Sequence, residues 1–289
     1  MEPLVSIGVT CYNRPDGLRH TLECLTNQTY KNIEIVVSDN ASPNPSVQWV
    51  GYEFAYRDPR VKYYRQAKNM GGMYNAKFVL KNSHGKYFMF ACDDDGWDPK
   101  YVEFLLKEHL SHDCALSMTG TTFVDNDKNE IAPLLIPNWF NNSRFAAMFF
   151  MISSHHWAYA KSNIIYGLYK RDFLNNLILY EGCPFDTGND VLTVMRIISK
   201  GDIRYIQRNL MKKGFVSFHE NTLGHFHILG PIRYLLNKVG IKKYPQHDGI
   251  DEFTKSASEI ISGSGFTMIQ QIVLLAFNQI NRIRLMVLF

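Results

Sequence analysis

Apolar runs in the first 125 residues switch between two periods in a regular order. Leu4 to Thr10 is a short β-branched run that predicts a buried strand, and Asp16 to Asn27 then carries Leu18, Leu22 and Leu25 at helical spacing. Ile33 to Val37 predicts a second strand, Val47 to Tyr56 a helix, Val61 to Tyr64 a third strand and Gly71 to Lys81 a helix. Tyr87 to Cys92, Lys100 to His109 and Ala115 to Val124 continue as strand, helix and strand. Strands alternating with helices of about ten residues predict an α/β fold around a largely parallel sheet.

In such sheets ligands bind at the carboxyl ends of the strands, where strand order reverses. The polar clusters fall at those ends. Thr10-Cys11-Tyr12-Asn13-Arg14 follows the first strand, Ser38-Asp39-Asn40 the second and Asp93-Asp94-Asp95 the fourth, so one shared crevice is expected. Beyond about residue 130 the pattern loosens. Pro133, Pro137 and Asn138 to Asn142 mark a loop, and Phe145 to Trp157 is rich in aromatic residues, Met and His. Val191 to Ile198 predicts an amphipathic helix opened by Gly188-Asn189-Asp190. Ile228 to Tyr244 and Phe266 to Phe289 read as helices with apolar faces and basic residues, among them Arg282 and Arg284. A helix of that kind either packs on the rest of the chain or lies on an anionic membrane face.

Composition excludes several classes. The 289 residues are 46% hydrophobic and 20% charged, which gives a globular chain with a core large enough to need no metal or disulfide staple. A net charge of +4 is too small to argue for nucleic acid. The five cysteines form no CxxC pair, which points to a reducing, cytoplasmic setting rather than a disulfide framework. No signal peptide is expected ahead of Leu4, and no apolar run approaches the length of a membrane span; Ile272 to Phe277 is the best.

The strongest chemical signal is Cys92-Asp93-Asp94-Asp95-Gly96-Trp97-Asp98-Pro99. Adjacent carboxylates repel, by about 4 kcal/mol for a pair roughly 4 Å apart at an effective dielectric of 20. A divalent cation relieves that repulsion, and oxygen ligands suit Mg²⁺ or Mn²⁺. An acidic turn capping the helix near Pro99 is the alternative.

Taken in order, Val5 to Arg14, Leu25 to Tyr30, Ile33 to Ser42, Asn69-Met70-Gly71-Gly72, Gly85-Lys86-Tyr87 and Asp93 to Pro99 resemble the inverting family 2 glycosyltransferases of the GT-A fold, over roughly the first 200 residues. The resemblance implies a metal-assisted transfer of a sugar from a nucleotide-diphosphate sugar, of the UDP class, to a hydroxyl of a glycan or lipid-linked acceptor. It implies a GT-A domain over 1–220, with a donor-binding half at 1–125 and an acceptor-binding half at 126–220, and a helical C-terminal region at 221–289. Thr10, Tyr12, Asn13, Arg14, Asp39, Asn69, Gly71, Asp93 and Asp94 match donor-binding positions, with Tyr12 stacking on the base and Asp39 accepting from a ring N–H. Aligned on Trp97 and Pro99, Asp94 falls on the main metal carboxylate, Asp95 beside it is the second metal expectation, and Cys92 stands where many relatives carry an Asp.

The family places its base at the start of a helix well beyond the metal motif. Asp190 matches, with Asp186 as its rival. His155, His156 and Trp157 are candidates for lining the acceptor site, and His219 for completing the metal shell. With the cysteine pattern the expectation is a cytoplasmic setting, contact with the inner face of a membrane through the C-terminal helices being one option beside packing, and oligomeric assembly stays open. A sugar nucleotidylyltransferase or dehydrogenase would need a glycine-rich phosphate loop, and Thr10 to Gly17 contains neither GxGxxG nor a Walker motif. A non-catalytic subunit that binds nucleotide sugars is the remaining alternative.

Overall fold

The computed structural model describes residues 2–124, 130–134, 136–153, 161, 163–175, 189–214 and 247–288. Strand β1 (Val5–Cys11) leads into helix α1 (Pro15–Thr26), then β2 (Ile33–Asp39), α2 (Pro45–Arg57), β3 (Val61–Arg65) and α3 (Gly72–Lys81). After β4 (Tyr87–Cys92) come a three-residue strand β5 (Asp95–Trp97), α4 (Tyr101–Ser111), β6 (Leu116–Val124) and β7 (Glu130–Leu134). The later elements are α5 (Arg144–Ser153), β8 (Leu168–Lys170), α6 (Arg171–Asn175), α7 (Asn189–Lys200), β9 (Ile203–Gly214), α8 (His247–Ser262) and α9 (Met268–Leu288). Short 3₁₀ turns occupy Asn138–Asn142 and Ile164–Tyr166.

One sheet runs in the order β3-β2-β1-β4-β8-β6-β9-β5, with β7 on β6. The block β3-β2-β1-β4 is parallel, as the alternating strands and helices predict. β6 and β9 form a second parallel pair, and three-residue β8 joins the two blocks antiparallel. β1, β2, β4 and β6 are buried on both faces. Val5, Ile7 and Val9 of β1 meet Leu18, Leu22 and Leu25 of α1 in one core, while Phe88 and Phe90 of β4 meet Val79 of α3 and the α5 and α7 side chains in the other.

Helices α8 and α9 pack on that second core. Phe277 stacks edge-on against Phe149 with ring centres 4.8 Å apart, and the Asn278 side-chain amide donates to the Thr254 carbonyl at 2.9 Å. The outer face of α9 leaves Met268, Ile269 and Ile272 exposed. No helix among the described residues is long and apolar enough to cross a membrane.

Two buried charges brace the sheet. At its amino end Glu34 accepts from the Ser6 hydroxyl (2.7 Å), the His84 backbone N–H and Lys62 Nζ (3.1 Å). Burial alone would raise this carboxyl. The hydrogen bonds from Ser6, His84 and Lys62 outweigh burial and hold it down to about 2. At the carboxyl end Asp95 and Lys213 face each other across the antiparallel β5–β9 ladder. Lys213 Nζ donates to both Asp95 oxygens at 3.1 and 3.0 Å, and Asp95 is fully buried.

Each brace makes a prediction. A depressed carboxyl stabilises the fold above its unfolded value of about 4.3 and loses that contribution as pH falls towards 2; for Glu34 the stake is about 3 kcal/mol. Urea unfolding between pH 7 and pH 2 should show this acid decline in the native chain and a shallower one in Glu34→Gln. Lys213→Met strands a buried carboxylate and should cost about 3–5 kcal/mol in the same assay at neutral pH. Adding Asp95→Asn should recover much of that loss, because the uncompensated charge is then gone.

Candidate active site

Chain order reverses between β1 and β4. The first three strands step outward from β1, and β4 returns to its other side, so the two carboxyl ends lie together with Thr10 paired to Cys92. The turn after β1 uses a left-handed residue, Asn13, at φ 59°. Helix α1 then packs directly on the acidic turn. A Cβ on Gly17 would stand 2.1 Å from the Asp93 carbonyl oxygen, so glycine permits the approach. The Thr21 hydroxyl reaches the backbone carbonyls of Asp95 (2.9 Å) and Cys92 (3.0 Å) and pins the turn from both sides.

The three carboxylates have separate surroundings. Asp93 is buried and accepts from the Tyr12 backbone N–H at 2.8 Å and from Arg14 Nη1 at 3.2 Å. Burial pushes its carboxyl up to about 6, against those two contacts. Asp94 is partly exposed and takes the same Arg14 Nη1 on Oδ2 at 2.9 Å. Asp95 is committed to Lys213. Cys92 Sγ lies 3.1 Å from the Tyr166 hydroxyl, and burial raises its thiol to about 12.

The sulfur of Cys92 and carboxylate oxygens of Asp94 and Asp95 lie within 4.8 Å of one another. That donor set fits a divalent cation. Arg14 already brings positive charge between Asp93 and Asp94, as a cation would.

The expected nucleotide side is equally organised. Asp39 is fully buried and saturated. Oδ1 accepts from the backbone N–H and hydroxyl of Ser42, and Oδ2 from the Tyr63 hydroxyl (2.8 Å) and Arg65 (2.9 Å). Acceptance of a base N–H there needs Tyr63 or Arg65 to turn away. Asn13 joins the same knot, because its N–H donates to the Ser42 hydroxyl at 2.8 Å. Asn69 is held to the end of β2 by the Asn40 side chain at 2.9 Å, and Gly71 opens α3 at φ 87°. The Tyr12 ring is 44% exposed, which leaves a face open for stacking.

Asp190 sits in the first turn of α7, half-buried, with Oδ1 accepting from the Val191 N–H at 2.8 Å. Burial raises its carboxyl above the ordinary range, while the hydrogen bonds and the Lys213 charge oppose that. Lys213 also feels Asp95, Cys92 and Asp94, so one ammonium is within electrostatic reach of both the acidic turn and Asp190. The structure thus gathers Thr10, Tyr12, Asn13, Arg14, Asp93, Asp94 and Asp95 directly. Asp39, Asn69 and Gly71 join through β2, and Asp190 through Lys213. His155, His156, Trp157, Asp186 and His219 lie outside the described residues. Sequence reasoning missed Lys213, Tyr63 and Arg65, which reach the site only through tertiary pairing.

A family model described as Glycosyl transferase family 2 matches residues 6–173. Glycosyltransferase GlyA of Streptococcus pneumoniae is 33% identical over 118 residues, 41% of this chain and 17% of that protein. TuaG of Bacillus subtilis, whose name refers to teichuronic acid biosynthesis, is 25% identical over 126 residues, 44% of this chain and 50% of the relative. The chain therefore spans half or less of these relatives' length. Among solved structures, residues 1–349 of S. aureus TarS in complex with UDP-GlcNAc superpose with a TM-score of 0.69 at 14% identity, covering 98% of this chain and 73% of that one. Mannosyltransferase PcManGT of Pyrobaculum calidifontis, in complex with GDP-Man and Mn²⁺, gives 0.54 at 14% identity over 100% of this chain and 86% of that one. The architecture is the GT-A fold. The matched span contains the whole switch point and the acidic turn, and the chain belongs to glycosyl transferase family 2.

Proposed function

We propose that this chain is an inverting glycosyltransferase that moves a sugar from a nucleotide-diphosphate sugar, of the UDP class, to a hydroxyl of a glycan or lipid-linked acceptor. The observation that carries the reading is geometric: an acidic turn whose Cys92, Asp94 and Asp95 donor atoms lie within 4.8 Å of one another stands at the reversal of strand order, bonded to the Tyr12 and Arg14 loop. UDP-GlcNAc bound to TarS and GDP-Man bound to PcManGT support a nucleotide-sugar donor. TuaG supports a surface polysaccharide as acceptor.

In this reading Tyr12 stacks on the base, and the knot of Asp39, Ser42, Asn13 and Asn69 shapes the nucleotide loop. Asp94 is the principal holder of a divalent ion, next to Asp95, whose oxygens Lys213 engages; such an ion offsets the charge of the departing diphosphate. Asp190 takes the proton of the acceptor hydroxyl as its oxygen bonds to the anomeric carbon, while the bond from that carbon to the diphosphate breaks on the opposite face. Desolvation suits Asp190 to the task, since a base with a raised pKa accepts a proton more readily. We assign 1–220 to the transferase domain and 221–289 to a helical region whose exposed Met268, Ile269 and Ile272 support contact with a membrane face. Free thiols at Cys11, Cys24, Cys92 and Cys114 support a cytoplasmic setting.

A panel of UDP-, GDP- and dTDP-sugars with Mn²⁺ or Mg²⁺ tests the reading through release of nucleotide diphosphate, which a chelator should stop. Asp190→Asn should keep donor affinity and lose about 10²–10⁴-fold in kcat. The base must be ionised, so kcat/KM should fall with acid through a pKa above the ordinary aspartate value of about 3.9. Unchanged turnover in Asp190→Asn removes it as the base.

A further inference from the structure

We propose that Cys92 is a sulfur ligand of the divalent ion held beside Asp94, so that the site selects a borderline transition ion of the cobalt or zinc class over Mg²⁺. This rests on the reading of the acidic turn as a cation site. Among the three clustered donors, Asp95 is engaged on both oxygens by Lys213, at 3.0 and 3.1 Å. Asp94 is engaged on Oδ2 alone, and its side chain is 16% exposed. The donors left for an ion are therefore Asp94 and the sulfur of Cys92, whose residue is only partly buried.

The spacing suits a shared ion. In a tetrahedral site, ligands about 2.3 Å (sulfur) and 2.0–2.2 Å (oxygen) from one metal lie about 3.6 Å apart. The donors here all lie within 4.8 Å of one another, close enough for side-chain rotation to bring them onto one ion. The surroundings favour a sulfur anion once a metal is there to share its charge. The Tyr166 hydroxyl stands 3.1 Å from Sγ, in place to donate to it. Binding exchanges the thiol proton for the metal, and the proton leaves to solvent. Thiolate is a poor partner for Mg²⁺, which requires hard oxygen ligands, and a good one for softer divalent ions.

Cobalt(II) titrated into the intact chain, alone and with UDP, tests this by calorimetry and by near-ultraviolet sulfur-to-cobalt charge-transfer absorption. The native protein should bind cobalt with the band. Cys92→Ser should lose the band and bind cobalt about tenfold more weakly. Cys92→Asp should bind without a band and gain affinity for Mg²⁺, which keeps the test valid if the serine variant folds poorly. Binding that depends on Asp94, shown by its loss in Asp94→Asn, but comes without a band overturns the sulfur ligand and leaves the cation site standing. A band that survives in Cys92→Ser overturns it too, since it then arises at another thiol such as Cys24, beside His20. No cobalt binding, or binding indifferent to Asp94→Asn, overturns both readings.

Discussion

Three consecutive carboxylates at the end of a buried strand must each be neutralised or desolvated at a cost, and the architecture around them supplies three different answers. Asp93 turns inward to a backbone N–H and a guanidinium, Asp94 shares that guanidinium at the surface, and Asp95 is buried against an ammonium. Left together without partners they would repel by several kcal/mol at the low effective dielectric of such a turn. The partners come from far apart: Arg14 follows β1, and Lys213 ends β9. The acidic turn is therefore also the point at which the two parallel blocks of the sheet are tied together.

This tie explains why the second half of the chain matters to a site whose donor-side loops all come from the first half. The switch point between β1 and β4 gathers the donor-side loops by topology alone. Asp190 reaches it differently. α7 packs in the core shared with α5, and its first turn comes within the field of Lys213, which is fixed by the β5–β9 ladder. A shift of β9 would thus disturb the acidic turn and the surroundings of Asp190 together.

Much of the first half was legible because its physics is local. Strands such as Tyr87–Cys92 are continuous apolar runs, and α1 begins at Pro15, whose fixed φ suits the first helical position. The second half was illegible for identifiable reasons. β5 and β8 are three residues each, too short to show a period. β7 contains Pro133, read as a loop signal, but a proline is tolerated in a strand that pairs on one side only. β9 carries Arg204, Arg208, Lys212 and Lys213, and register shifts against β6 at Gly120 break its alternation. The ion pair between Asp95 and Lys213 joins residues 118 apart, and no pattern within either segment announces it.

The candidate site divides along the same line. That Tyr12, Arg14 and Asp94 belong to one crevice could be read from their places at strand ends, while their separate roles were implied by the family resemblance. What each carboxylate is able to do depends on its partners, and those are tertiary. Asp39 illustrates the point: an acidic residue after β2 reads as an open acceptor, yet Ser42, Tyr63 and Arg65 fill all four of its acceptor positions. Its charge is used to hold the loop that carries Asn13, and through Asn13 the turn leading to Arg14. Arg14 in turn reaches Asp93 and Asp94. A chain of contacts therefore runs from the end of β2 to the acidic turn, and a substitution at Asp39 would act on that turn without touching it.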